Sequence, residues 1–511
     1  MTIAQIIIII TILLYLSCML IIGAAFSRKS SSSSEDFYIG GRSLGPIVTA
    51  MSAEASDMSS WLLMGLPGLA YLAGIAEVGW TAIGLAVGTY LNWLIVAKRL
   101  RRYSARLNAF TIPDFFSRRY NDKKHLLSMV AALIIIIFFI PYTASGFKAV
   151  GTLFNSLFGV EYHIAMVFGS IIIITYTVLG GFMAVSTTDL LQSIFMTIAL
   201  VVIVFFGISQ AGGLGAVAEN ASKLPGYLNL TQGYNAADGT AGSYGFLSIA
   251  STLAWGLGYF GMPHILLRFM AIRHEKELSI SRRIASVWVV LSMGIAAFIG
   301  IIGYSVSIAN KIPMLTTSSE SETIIMKLAD LMSRHGFLFA IMAGIILAGI
   351  LAATMSTADS QLLAASSSVS QDLLQDFFGI RLSETGTMVA ARCTVVGIAL
   401  IALILAWNPN SSVFRVVSFA WAGFGATFGP TMLLALFDRR SNMQGALAGM
   451  ISGAALIFIW KFVIAPMGGV WGIYELLPAF LVALIINIVV SRLTPESDAQ
   501  VLKTYDQIKN A

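Results

Sequence analysis

Met51–Gly68 reads MSAEASDMSSWLLMGLPG. It sets Glu54, Asp57, four serine hydroxyls and Trp61 inside a run otherwise apolar enough to lie in a lipid bilayer. A carboxylate near the bilayer centre costs at least about 2.5–3.5 kcal/mol, so it needs a cation or protein dipoles beside it. Ser52, Ser56, Ser59 and Ser60, followed by Gly65, Pro67 and Gly68, weaken a helix at this point. The expected element is therefore a broken membrane helix, whose freed carbonyl oxygens can coordinate an ion. This combination points to ion-coupled transport.

The rest of the chain fits that setting. Of its 511 residues 57% are hydrophobic and 11% charged, against about 25% charged in soluble globular chains. Long apolar runs recur from end to end, which predicts an all-α polytopic membrane protein. Thirteen transmembrane helices are expected, near 4–26, 46–70, 76–97, 127–152, 162–180, 189–209, 245–267, 284–309, 336–370, 388–406, 412–436, 443–464 and 471–491. The first, without a basic leader or small-residue cleavage site, reads as a retained helix. The net charge of +6 resides in short loops rather than on one basic face, which argues against nucleic-acid binding.

Basic residues also orient the chain. The loop after the third helix holds Lys98, Arg99, Arg101, Arg102, Arg106, Arg118, Arg119, Lys123 and Lys124, and the loop after the seventh holds Arg268, Arg273, Lys276, Arg282 and Arg283. Arg28, Lys29, Arg42, Arg439, Arg440 and Arg492 fall on the same side. With thirteen helices, the positive-inside rule places the N-terminus outside and the C-terminus in the cytoplasm. The Gly- and Asn-rich stretch 210–242 reads as a surface loop with a short helix, residues 30–37 (SSSSSEDF) as a polar connector, and the charged tail after Thr494 as partly helical.

The second and seventh helices both look interrupted, the seventh by Trp255-Gly256-Leu257-Gly258 and Gly261-Met262-Pro263. Two broken helices at matching places in two halves point to a midplane site in an inverted-repeat transporter. In the second helix, Ala55 and Met58 would offer main-chain carbonyls, Ser59 and Trp61 would face a solute, and Asp57 would supply negative potential. The bland alternative is a kinked helix whose Asp57 pairs with a structural Arg or Lys. In the ninth helix Ala353, Ser356, Thr357 and Ser360 share one face. These oxygens suit a hard cation such as sodium, although membrane helices also use Ser and Thr for packing; Asp359 adds a second carboxylate. Trp255 and Tyr259, one turn apart, with Tyr142 after Pro141, offer aromatic contacts to a small solute. Gly180-Gly181 ends the fifth helix, Ser186 or Thr187 caps the next, and the helix dipole favours Asp189. The five histidines are dispersed, no Ser-His-Asp order or P-loop occurs, and no enzyme is expected.

GGRSLGP at 40–46, SAEASDMSSWLLMGLPG, LGGFMAVSTTD, WGLGYFGMPHILLRFMAI at 255–272 and ATMSTADSQLL together resemble the sodium/solute symporter family, and within it the bacterial sodium/proline symporters. The resemblance implies a LeuT-type five-plus-five inverted repeat. Residues 1–43 would be an extra helix and connector, 44–210 the first repeat, 211–437 the second, and 438–511 two further helices and a tail. It implies Na+ held by Ala55, Met58, Ala353, Ser356 and Thr357, coupling through Asp57, and L-proline contacts from Ser59, Trp61, Tyr142, Trp255, Tyr259 and Pro263. A second sodium near Asp189, Asp359 and Ser360 is implied by sialic acid transporters of the family. The chain departs from the proline-symporter pattern at Glu54 and Ser60, where glycine is common, and at Thr187, where tryptophan is frequent. Glu54 beside Ala55 would either raise cation affinity or, if protonated, couple protons, and so bears on ion coupling. The implied protein is a bacterial inner-membrane importer of L-proline with no obligatory protein partner. The rivals are a sodium symporter for another small amino acid or carboxylate, or a solute sensor of the same fold.

Overall fold

A computed structural model describes residues 2–30 and 34–509. The chain is helical throughout its apolar runs. In order the helices are α1 (Ile3–Ser30), α2 (Ser34–Ile39), α3 (Pro46–Ser60), α4 (Leu66–Ala73), α5 (Ile75–Leu91), α6 (Ala97–Leu107), α7 (Ile112–Arg119), α8 (Leu126–Phe158), α9 (Tyr162–Gln210) and α10 (Leu214–Ser222). There follow α11 (Phe246–Leu253), α12 (Pro263–Ala271), α13 (Leu278–Ile308), α14 (Ser318–Ser321), α15 (Ile324–Ser333), α16 (Phe337–Ser367), α17 (Glu384–Leu405), α18 (Val413–Phe437), α19 (Met443–Ile459), α20 (Leu476–Leu493) and α21 (Ala499–Lys509). Part of the connector expected over 30–37 lies outside the described residues.

Among the described residues ten helical stretches are long and apolar enough to cross a membrane. The other three expected spans are the short or broken ones. The span expected at 46–70 divides into α3, a π-turn over Trp61–Gly65, and α4. The one expected at 245–267 divides into α11, a tighter 3-10 stretch over Ala254–Phe260, and α12. The third, at 162–180, is the first limb of α9, which breaks at Gly181 (φ 61°, ψ −175°). No loop separates the two limbs. Thr187 and Thr188 donate their hydroxyls to the carbonyls four residues back, Met183 and Ala184 (2.8 and 3.0 Å). The expectation that Ser186 or Thr187 caps a new helix is thereby corrected: Asp189 sits within the second limb rather than at its start.

The chain is not wholly α. Within 210–242 lies the expected short helix, α10, and an antiparallel hairpin of β1 (Gln232–Asn235) and β2 (Thr240–Ser243) that runs one residue past it. Asp238-Gly239 closes it: Gly239 takes φ 70° and Asp238 Oδ1 accepts the Thr240 N–H at 3.1 Å. An Asp-Gly pair is a hairpin signal that the loop reading passed over.

α16 is the central element, buried from Ala343 through Ser367 at nearly every position and packed on α1, α3, α8 and α9. The basic segments meet at one end of the bundle. Arg42 donates to the main-chain oxygens of Ala109 (2.6 Å) and Met270 (2.9 Å), Arg102 pairs with Glu275, and Arg439 pairs with Asp506 of α21 at 3.0 Å. They share a side, as their sequence positions predict.

α5 crosses the 254–260 stretch through glycine. A Cβ on Gly88 would stand 2.3 Å from the Gly256 carbonyl oxygen, a main-chain atom that cannot rotate aside. Gly88→Ala is therefore expected to destabilise the fold by about 1–3 kcal/mol, the range for an overpacked core. A clear drop in the thermal unfolding midpoint of the detergent-purified protein would show it; an unchanged midpoint would mean a looser crossing.

Candidate ion and solute site

The helix break falls at one residue. Ser59 takes φ 47°, ψ −173°, left-handed backbone that non-glycine residues rarely adopt, and its own Oγ accepts the N–H of Trp61 at 3.0 Å, closing the turn. The turn before the break packs on α16. Ser356 donates its hydroxyl to the Ala55 carbonyl at 2.8 Å and approaches the Ala353 carbonyl at 3.2 Å, and Thr357 Oγ1 reaches the same carbonyl at 3.2 Å. Four of the five expected sodium ligands thus form one cluster of buried oxygens between α3 and α16. The fifth, Met58, stands at the break.

Asp57 pairs with no Arg or Lys among the described residues. Its carboxylate accepts the Tyr259 hydroxyl and its main-chain oxygen accepts the Tyr142 hydroxyl at 3.2 Å. A small cavity of about 10 Å³ lies here, lined by Asp57, Met58, Trp61, Leu85, Tyr142, Trp255, Met293, Val417 and Trp421. Trp61, Tyr142 and Trp255 come together there. Tyr259 joins them through Asp57 and through an edge-on contact with Trp421, ring centroids 5.1 Å apart. Ser59 shapes the turn, and Pro263 starts α12 outside this lining.

Trp421 went unnoticed in the sequence. Its indole N–H donates to the Trp255 carbonyl at 2.8 Å, an oxygen made available by the irregular 254–260 stretch. Gly258 makes room, since a Cβ there would lie 1.9 Å from Trp421 Nε1. Trp61, Trp255 and Phe414 pack on one another, Trp61 stacked on Phe414 and Trp255 tilted against both, with centroids 5.5–6.0 Å apart. Trp255 and Phe414 also line a larger cavity of about 520 Å³, bounded by Glu77, Arg415, Lys461 and Glu475. Trp61 lines the smaller space, Phe414 the larger and Trp255 both, so the three rings stand as a partition between them. The buried Glu322 fixes the partition: its carboxylate accepts the Ser412 hydroxyl at 2.6 Å and the N–H groups of Val413 and Phe414, both at 3.1 Å, at the start of α18. Lys148 lies 3.6 Å from it.

A second buried charge cluster lies nearby. Arg268, read from sequence as an orienting loop charge, is 1% exposed. Its guanidinium donates to Asp189 Oδ2 (3.1 Å), Ser360 Oγ (2.6 Å), Ser52 Oγ (3.0 Å) and the His264 carbonyl (2.9 Å). Ser52 donates to Asp189 Oδ2 at 2.6 Å, and Ser360 to Asp359 Oδ1 at 3.3 Å. Asp189 is thus held by a cation rather than by a helix dipole. An arginine within HILLRFMA was the missed signal, because an intramembrane charge calls for an opposite partner.

Residues 37–453 match the sodium:solute symporter family. The chain belongs to that family. It is a multi-pass membrane transporter and not an enzyme. Sodium/proline symporters of Staphylococcus aureus, among them that of strain USA300, are 38% identical to this symporter over 93% of its length and 90% of theirs. Two solved structures share the fold. One is a Na+-coupled sialic acid symporter in a substrate-bound outward-open state (TM-score 0.80, 18% identity, 96% of this chain and 99% of that one). The other is Mhp1, a nucleobase-cation-symport-1 family transporter, in a closed conformation with bromovinylhydantoin bound (TM-score 0.55, 12% identity, 92% and 98%).

Breaking a buried ion pair from one side costs about 3–5 kcal/mol, because the remaining charge is stranded. Arg268→Gln is expected to lose stability of that order, and Arg268→Gln/Asp189→Asn to recover most of it. Thermal unfolding of the three purified proteins measures this; a double variant no better than the single would dissolve the pairing.

Proposed function

We propose that this symporter imports L-proline with Na+ across the bacterial inner membrane by alternating access. The observation that carries the reading is the convergence of the Ala55 and Ala353 carbonyls with the Ser356 and Thr357 hydroxyls at a helix break. Neutral hard oxygens of this kind suit sodium. Met58 completes the set, and Asp57 adds the negative potential that makes a cation favourable there. The names of the 38%-identical relatives support proline. So does an aromatic lining of Trp61, Tyr142 and Trp255 beside Ser59 and Tyr259, which fits a small, compact, largely apolar ring; Pro263 would act by setting the start of α12.

The three short or broken stretches, added to the ten apolar spans, support thirteen crossings with the N-terminus outside. The likeness of fold to the sialic acid symporter and Mhp1 supports a five-plus-five repeat over 44–210 and 211–437, preceded by 1–43 and followed by 438–511. At Asp189, Asp359 and Ser360, where a second sodium is implied by resemblance, Arg268 already supplies a positive charge, so this set reads as a structural ion pair.

Sodium bound between α3 and α16 completes the solute site, and by linkage each ligand raises the affinity for the other by the same factor. In proteoliposomes, uptake of radiolabelled L-proline is expected to require an inward sodium gradient and to be blocked by proline analogues. Thr357→Ala and Asp57→Asn should raise the sodium concentration for half-maximal uptake about tenfold or more, a change worth about 1.4 kcal/mol, while thermal stability stays close to that of the parent. Sodium dependence unchanged in both variants would refute the ion site. Uptake of a different amino acid or carboxylate instead would keep the symporter and replace the substrate.

A further inference from the structure

Glu54 is 1% exposed, and no Lys, Arg or His forms an ion pair with it among the described residues. The two buried cations on neighbouring helices are spent elsewhere, Arg268 on Asp189 and Lys148 on Glu322. Three residues on, Asp57 lies on the same face of α3, so two carboxylates share one apolar region without a counter-charge. Successive helix residues are about 100° apart around the axis. Glu54 and Ala55 therefore project their side chains differently, and that of Glu54 reaches the π-turn Asn92–Val96 that continues α5.

There three hydrogen bonds tie α3, the π-turn and the 254–260 stretch together. Trp93 donates its indole N–H to Glu54 Oε1 at 3.1 Å, Asn92 donates Nδ2 to the Tyr259 carbonyl at 2.9 Å, and the Tyr259 hydroxyl donates to Asp57. Two oxygen atoms of these fully buried side chains have no partner, Glu54 Oε2 and Asn92 Oδ1, and the Thr89 hydroxyl faces that of Tyr259. Thr89 and Asn92 are again three residues apart on one face. π-Turns inside helices occur often at functional sites, and this one is braced, because α5 meets the 254–260 stretch backbone to backbone at Gly84, Gly88 and Gly256. A buried oxygen without a donor is costly; a carboxylate oxygen, an amide oxygen and a hydroxyl together form a hard donor set.

We infer that Glu54, Asp57, Thr89 and Asn92 form a second sodium site, on the α5 side of α3 and separate from the oxygen cluster on the α16 side. It deepens the sodium-coupled reading and rests on it. Its cation balances the second carboxylate and ties α3 to the irregular 254–260 stretch, so the chain binds two sodium ions where the α3–α16 cluster alone provides for one.

Equilibrium binding of radiolabelled sodium to the purified full chain tests this without reference to substrate. The parent is expected to saturate at about two ions per chain, and Glu54→Gln, which keeps an acceptor for Trp93 but removes the charge, at about one. Thr89→Val, nearly identical in shape, should weaken one site several-fold and leave the other unchanged. Ser356→Ala/Thr357→Ala should also bind about one, retained through Glu54. Thermal unfolding in sodium-free choline buffer identifies any variant that fails to fold. A parent that saturates at one ion per chain, or a folded Glu54→Gln that matches the parent, overturns the second site. A Ser356→Ala/Thr357→Ala protein that still binds two ions, while Glu54→Gln loses one, overturns the α3–α16 assignment instead and leaves this one standing.

Discussion

Within a bilayer no water reaches a backbone oxygen that its helix has released, so each such oxygen must find a partner in the protein or a bound cation. That constraint organises this molecule. The turn at Ser59 interrupts α3, and the Ala55 carbonyl is taken up by Ser356 of α16. The irregular 254–260 stretch exposes the Trp255 and Tyr259 carbonyls, which are taken up by Trp421 and Asn92. Each break is thus repaired by a side chain from a different helix. Those repairs bring α3, α5, α16 and α18 to one place, and an oxygen that can exchange a hydroxyl for an ion has the chemistry expected of a coupling site.

Charge follows the same logic with a different outcome at each carboxylate. Asp189 is neutralised by Arg268 and Glu322 faces Lys148, and both hold elements in place. Asp57 and Glu54 have no such cation among the described residues, and both lie on the broken helix, Asp57 in the lining of the small aromatic cavity and Glu54 against Trp93. The distinction between a structural carboxylate and one free to respond to an ion is therefore a matter of where Arg268 and Lys148 stand. The partition of Trp61, Trp255 and Phe414 between the two cavities hangs on the same framework, since Glu322 positions the start of α18 from which Phe414 projects.

Much of this was legible in the chain. A straight apolar run announces a membrane helix, and a run carrying Glu54, Asp57, serines and glycines announces a broken one, because both signals are local in sequence. The oxygen-bearing face of α16 was legible from helical spacing alone. The hairpin at 232–243 was masked by glycine and alanine, which carry little strand signal, and Arg268 was masked by its closeness to the basic loop that follows it.

By itself the sequence determined the membrane setting, the positions of the breaks, and which residues carry oxygen and charge, since hydrophobic length, backbone propensity and side-chain chemistry are properties of short segments. Only the tertiary structure decided which buried acid meets which cation, that Trp421 seals the gap beside Trp255, and that Glu54 faces Trp93 across to α5. These are contacts between residues 39 to 166 positions apart, and their partners are chosen by how the helices cross rather than by any pattern within one of them.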